Sequence, residues 1–236
     1  MKITDIQIQK KNPNRVNIFL DGQFAFGLSA DVRFEENLEI GQEISDKKIG
    51  ELIEKDQVER LVNKSLKFLS FRPRSEKELR DHLLWGSKPT EIKSEIEKAA
   101  WQQSIEKVIA KLRQFGQVDD AAFASWWVEQ RLKFKPMATN LIKRELLAKG
   151  VDKEVIEEVM EGTPLRPTSH EASRGFAGQA NEEDLATRAA AKKISSYKNL
   201  EPKDFRIKMG QYLARKGFGW EIIKKVVDSL IEKRVK

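Results

Sequence analysis

Cysteine is absent from this 236-residue chain and histidine occurs only twice. Without thiols there is no disulfide, no thiolate metal site and no cysteine nucleophile. His82 falls on a charged helical stretch and His170 in a Gly-, Ser- and Pro-rich one, and neither stands in a metal-ligand spacing. No glycine-rich phosphate loop follows a strand, and no Gly-x-Ser-x-Gly elbow occurs. There is no signal peptide and no apolar run long enough to cross a bilayer, so the expectation is a cytoplasmic protein without membrane contact. The paired carboxylates Asp119 and Asp120 directly precede the apolar run Ala121 to Val128, where a helix needs an N-cap, so capping is expected of them rather than acid-base or metal chemistry. The absences together argue against an enzyme, a metal site or a cofactor.

What is present is charge, unevenly distributed. The net charge is +7, yet residues 1–57 carry 8 Lys and Arg against 11 Asp and Glu, while residues 185–236 carry 14 against 5. A second concentration is Arg131, Lys133, Lys135, Lys143, Arg144 and Lys149, interrupted only by Glu145. Such clusters attract polyanions or acidic protein surfaces, although any one lysine is more commonly just solvated.

The hydrophobic pattern has two grammars. At the N-terminus, Ile6 and Ile8, then Val16, Ile18 and Leu20, then Phe24, Phe26 and Leu28 alternate at period two. That is the pattern of half-buried antiparallel strands, with turns expected at Asn12-Pro13-Asn14 and at Asp21-Gly22. From Asp46 the period becomes helical, through Ile49, Leu52, Ile53, Val58, Leu61, Val62, Leu66 and Leu69. Ser75 and Glu78 read as a capping box. A later seam from Ile92 to Phe115 reads as one helix from about Thr90 to Phe115. Trp126 and Trp127 are adjacent on one helix, about a hundred degrees apart, so only one of them is expected at the core, the other, with Arg131 about a turn away, packing against the neighbouring unit or stacking on a base or a partner side chain.

A helix seam ending at a glycine, with a second amphipathic stretch behind it, recurs along the chain. Ile142, Leu146, Gly150, Val151, Ile156 and Val159 are matched in spacing by Met209, Leu213, Gly217, Phe218, Ile223 and Val226, and Leu79, Leu83 and Gly86 form a tighter copy. Pro73, Pro136 and Pro202 precede the three seams. Gly150-Val151 and Gly217-Phe218 read as Schellman ends. The expected fold is mainly α, with tandem three-helix repeats stacked as an elongated solenoid behind a small N-terminal antiparallel β meander. The expected divisions are 1–57 for the meander and the start of the first helix, 58–118 and 119–161 for two repeats, 162–184 for a flexible linker, and 185–236 for a third, strongly basic repeat.

Residues Leu66-Lys67-Phe68-Leu69-Ser70-Phe71-Arg72-Pro73-Arg74-Ser75-Glu76-Lys77-Glu78-Leu79-Arg80 resemble the opening signature of the RecX regulatory proteins. So do Phe115-Gly116-Gln117-Val118-Asp119-Asp120-Ala121-Ala122-Phe123-Ala124 and Val128-Glu129-Gln130-Arg131-Leu132, and the stretch from Leu146 to Val159. The resemblance implies a non-enzymatic modulator of the RecA recombinase that binds in the groove of the RecA filament on single-stranded DNA. Members typically oppose filament growth, ATP hydrolysis and strand exchange. Charge clustering selects Arg72, Arg74, Arg131, Lys133, Lys135, Lys143, Arg144, Lys149, Arg215 and Lys216 as the expected filament and DNA contacts, on a monomer. The alternative is an independent DNA-binding protein, since three-helix units also resemble helix-turn-helix modules.

Overall fold

A computed structural model of the chain describes residues 1–86, 95–162 and 182–235. Strands β1 (Ile3–Gln9), β2 (Asn12–Leu20) and β3 (Gln23–Ser29) are followed by helices α1 (Ala30–Glu35), α2 (Asp46–Leu69), α3 (Glu76–Gly86) and α4 (Glu95–Gln114). Then come α5 (Asp120–Phe134), α6 (Thr139–Ala148), α7 (Lys153–Gly162), α8 (Glu182–Ile194), α9 (Pro202–Arg215) and α10 (Trp220–Val235). The chain divides into two compact units, Met1–Arg72 with Leu79–Val118, and Pro73–Glu78 with Asp119–Lys236, so the first turn of α3 belongs to the second unit. His170 and most of the stretch read as a linker lie outside the described residues, as does the start of the helix expected from Thr90.

The N-terminal alternation builds the antiparallel sheet it predicts, in the order β1-β2-β3. Asp21 and Gly22 both take positive φ, 47° and 85°, as a two-residue turn matched to strand twist demands. The first turn is not where the sequence suggested. Gln9 pairs with Asn12, which leaves Lys10 and Lys11 as the turn, and Asn12-Pro13-Asn14 opens β2 instead. A register shift between Ile8 and Gln9 breaks the ladder beside Pro13, which lacks the N–H a regular ladder would use. A second shift, between Ile18 and Phe19, sets Phe19 opposite Phe24. Phe24 therefore leaves the core face held by Phe26, meets Phe19 edge-on at 6.0 Å and stays 60% exposed.

Val16, Ile18, Leu20, Phe26 and Leu28 bury against Val32 of α1, Leu38, Ile44 and Leu52 of α2. A buried ion pair fixes how α2 meets the sheet. Asp56 accepts two hydrogen bonds from the Arg15 guanidinium, at 3.1 and 2.9 Å, and a third from the Ser29 N–H at 2.7 Å. Ser29 Oγ in turn donates to Glu59 and accepts from the Val32 N–H, which caps α1. At the other end of α1, Glu36 sits between Lys48 and Lys55, and their hydrogen bonds hold its carboxyl down at about 2.

Around α2, α3 and α4 the core is Leu61, Leu79, Leu83, Ile105, Val108, Ile109 and Leu112. Phe115, read as the end of that seam, is exposed, because α4 stops at Gln114 and Gly116 turns the chain with φ 64°. His82 is half-buried there, its ring stacked on Phe68 at 3.9 Å. In the second unit Phe123, Val128, Leu132, Ile142, Leu146, Ile156, Leu185, Phe205, Met209, Leu213, Ile223 and Val226 form one continuous core. Trp126 and Trp127 are both only half-buried, each tilted against Phe123, so the core position expected for one tryptophan belongs to the phenylalanine.

Asp56→Ala leaves the half-buried Arg15 guanidinium without its acid and should destabilise the fold by about 3 kcal/mol. Urea denaturation of the variant measures this, and a loss below about 1 kcal/mol would show that the pair does not anchor α2.

Candidate anion-binding site

The site begins with how two helices end. At the C-termini of α6 and α9 the chain turns through Gly150 and Gly217, with φ of 81° and 84°. Val151 N–H donates back to Leu146 O and Phe218 N–H to Leu213 O, as in Schellman ends. That geometry leaves the carbonyl just before each glycine turned outward, and each is satisfied by the start of another helix. Lys149 O accepts from Ser75 Oγ, the residue before α3, at 2.7 Å. Lys216 O accepts from the N–H of Ala138, the N-cap of α6, at 2.9 Å. Ser75 and Ala138 are corresponding positions, two residues after Pro73 and Pro136 and four before Leu79 and Ile142.

Both joints are tight. A Cβ on Gly150 would stand 2.6 Å from Lys77 Cβ, and one on Gly217 would stand 3.2 Å from Leu141 Cβ. Helix α9 breaks the series at its own start. Aligned through Met209 and Leu213 it begins one turn earlier, at Pro202, so the counterpart of Ser75 and Ala138 is Phe205, inside the helix and fully buried.

Around the joint at Ala138 the chain gathers cations. Lys135 is the C-cap of α5 and is exposed. Two residues of α8 reach the same helix end: Arg188 Nη2 donates to Leu132 O and Lys192 Nζ to Phe134 O, each at 2.6 Å. Cations here complement the negative end of the α5 dipole and use carbonyls the helix cannot satisfy itself. Glu182, in the first turn of α8, does the reverse for α6, accepting from Thr139 Oγ1 at 2.7 Å next to an N-cap without a capping side chain. Lys216 completes the group, and its pKa is lowered by burial first, then by the charges of Lys135 and Arg131, with Lys192 adding to the effect and Glu145 opposing it. Glu145 is already engaged, since its Oε2 accepts from Trp127 Nε1 at 3.0 Å and from Arg131 Nε at 2.6 Å.

Of the ten cations selected from the sequence, Arg131, Lys135 and Lys216 thus converge. Arg131 and Lys149 lie over the Trp127 ring, at 4.1 and 4.5 Å from its centre. Lys149 also pairs with Glu78, and Lys143 is drawn to Glu157 of α7. Lys133 is exposed above the Phe134 ring, while Arg144 and Arg215 are exposed without an ion pair among the described residues. Arg74 is half-buried in the second unit and Arg72 half-buried in the first. The sequence reading missed Lys192 and Arg188. Their spacing of four puts them on one helix face, but nothing local says that this face meets the end of α5.

Asp119 caps α5 as expected, its Oδ1 accepting from the N–H groups of Ala121 and Ala122. Asp120 instead accepts from the Glu76 N–H at 2.8 Å, and burial pushes its carboxyl up. No group of three or more His, Asp or Glu that could hold a metal occurs among the described residues, and no helix there is long and apolar enough to cross a membrane.

Comparison with known proteins matches residues 1–45 to the regulatory protein RecX N-terminal domain. Residues 62–84, 119–160 and 181–227 match the first, second and third three-helix domains of RecX. The chain is similar to the regulatory protein RecX of Bacillus subtilis, 33% identical over 97% of this chain and 76% of that protein. It is 31% identical to the regulatory protein RecX of Clostridium beijerinckii, over 98% and 96% of the two chains. A crystal structure of a regulatory protein RecX superposes with a TM-score of 0.63 at 25% identity, covering 96% of this chain and 98% of the other.

The depressed pKa of Lys216 sets a pH test. The unfolded chain binds this proton more tightly than the folded one, so the charged lysine destabilises the fold at all pH values below its folded pKa. The penalty fades as pH rises toward the ordinary value of 10.5. Lys216→Met should therefore raise the denaturation midpoint at neutral pH, and the gain should shrink in alkaline buffer. A variant less stable than the wild type at pH 7 would show that the lysine is not held against repulsion.

Proposed function

This chain belongs to the RecX family of regulatory proteins, and from that footing we propose that it is a non-enzymatic regulator of the RecA recombinase. It binds in the groove of the RecA filament on single-stranded DNA and opposes filament extension, ATP hydrolysis and strand exchange. On this reading it is a cytoplasmic monomer without a cofactor. The observation that carries it is the convergence of Arg131, Lys135, Lys192 and Lys216 at one helix end, with Lys216 held charged there at a cost to its own pKa. Proteins do not ordinarily concentrate like charge where it destabilises them unless an opposite charge is met there. A filament groove offers that charge repeatedly, from phosphates and from acidic side chains, and several weak contacts along it reinforce one another. The ten cations chosen from the sequence, from Arg72 to Lys216, enter this reading unequally. Arg131, Lys143 and Lys149 already have acids of their own, whereas Lys133, Lys135, Arg144 and Arg215 are exposed.

The test is steady-state ATP hydrolysis by preformed RecA filaments, with this protein well below the RecA concentration and excess free single-stranded DNA present. Hydrolysis should fall at substoichiometric protein. Charge reversal of the exposed pair, Lys135→Glu with Arg144→Glu, should shift the inhibition curve by about tenfold, the equivalent of ~1.4 kcal/mol, while thermal unfolding stays in place. Inhibition that appears only once the protein saturates the DNA would favour the independent DNA-binding reading.

A further inference from the structure

The same joint occurs twice, and its charge is balanced only once. At the first, Lys149 is the C-cap of α6, its carbonyl is held by Ser75, and its ammonium pairs with Glu78, three residues further along α3. At the second, Lys216 is the C-cap of α9 and its carbonyl is held by Ala138. Three residues along α6, where an acid would complete the correspondence, stands Leu141, packed on the core. Lys216 has no carboxylate within ion-pair distance among the described residues, and Lys135 and Lys192 bring further positive charge to the same helix end. The second joint therefore repeats the backbone device of the first and lacks its anion.

Beside this gap stands an exposed aromatic. Phe134, the last residue of α5, is 60% exposed, and its carbonyl is the group that Lys192 holds. The triplet Phe134-Lys135-Pro136 corresponds to Phe71-Arg72-Pro73, and Phe71 is also left exposed, at 75%. A large ring kept out of the core at the same place in two copies, with a cation following it each time, is a platform for a flat partner flanked by negative charge. A protein carboxylate would satisfy Lys216 but would leave the ring with only the Lys133 ammonium over it, whereas a nucleotide of a single strand supplies a phosphate and a base together. A duplex hides its bases and would use only the cations.

We infer that the joint of α9 on α6 is a single-strand nucleotide site, in which a phosphate bound by Lys135, Lys192 and Lys216 takes the place that Glu78 fills at the first joint, and a base stacks on Phe134. The inference deepens the proposed function by naming the group of the DNA that this surface takes, and its test does not depend on RecA.

The full chain is titrated against a labelled oligothymidylate over a series of salt concentrations, followed by fluorescence anisotropy. Lys135→Ala and Lys216→Met should each weaken binding roughly three- to tenfold and reduce the salt slope by about 0.7 for each phosphate that is no longer neutralised. Phe134→Ala should weaken binding by a similar factor at unchanged slope, because stacking releases no counterions. Leu141→Glu, which installs the missing acid, should imitate Lys216→Met. Should that variant fail to fold, Lys135→Ala and Lys216→Met decide alone. Unchanged affinity and slope in those two would overturn the site, as would polyglutamate competing as well as the oligonucleotide, which would assign the cations to an acidic protein surface. If the variants behave as expected but the wild type does not slow RecA, the nucleotide site stands and the filament reading falls.

Discussion

A helix that ends in a left-handed glycine turns its last carbonyl away from its own axis, and a carbonyl excluded from water must find a donor. In the second unit this constraint sets how the ends of α6 and α9 are seated. Lys149 O finds the Ser75 hydroxyl and Lys216 O finds the Ala138 amide, so the end of one middle helix is seated on the beginning of another. Glycine is required twice over at these turns, for its backbone angle and because a Cβ would meet Lys77 in one case and Leu141 in the other. The remaining contacts elaborate that seating. Lys77 Nζ donates to Ala148 O, Asp120 receives the Glu76 amide, and Glu182, Arg188 and Lys192 bring α8 onto the ends of α5 and α6.

The parts of this architecture that were legible in the sequence are those whose physics is local. Positive-φ glycines, the Asp21-Gly22 hairpin, the Ser75 and Asp119 caps and the period of each helix depend on residues within a turn or two of one another. What escaped was set by distant partners. Asp120 looked like a spare cap beside Asp119 and serves another helix, 44 residues earlier in the chain. Glu78 was read as half of a capping box, and nothing local says that it also pairs with Lys149, 71 residues later in the chain. Phe24 was placed in the core by alternation and removed from it by a register shift.

The candidate site was half legible for the same reason. Arg131 and Lys135 are close in sequence and declared themselves as a cluster. Lys216 could be chosen as basic, but nothing in its neighbourhood says that it comes to rest against the α5 end. Lys192 was invisible as a site residue, because its partner is a backbone carbonyl, and a carbonyl has no sequence signature. Charge in a sequence shows how much repulsion a fold must hold, and only the packing shows where it is held. Here it is held at a joint that the fold could have neutralised, as it did with Glu78, and did not.

The early start of α9 has a consequence for assembly. Joints of this kind are heterologous: the surface that gives differs from the surface that receives, and such contacts can in principle add copies without end. The extra turn from Pro202 to Phe205 buries the position at which a further glycine turn would be seated. The start of α9 therefore offers no second seat of the kind that Ala138 gives to the end of α9.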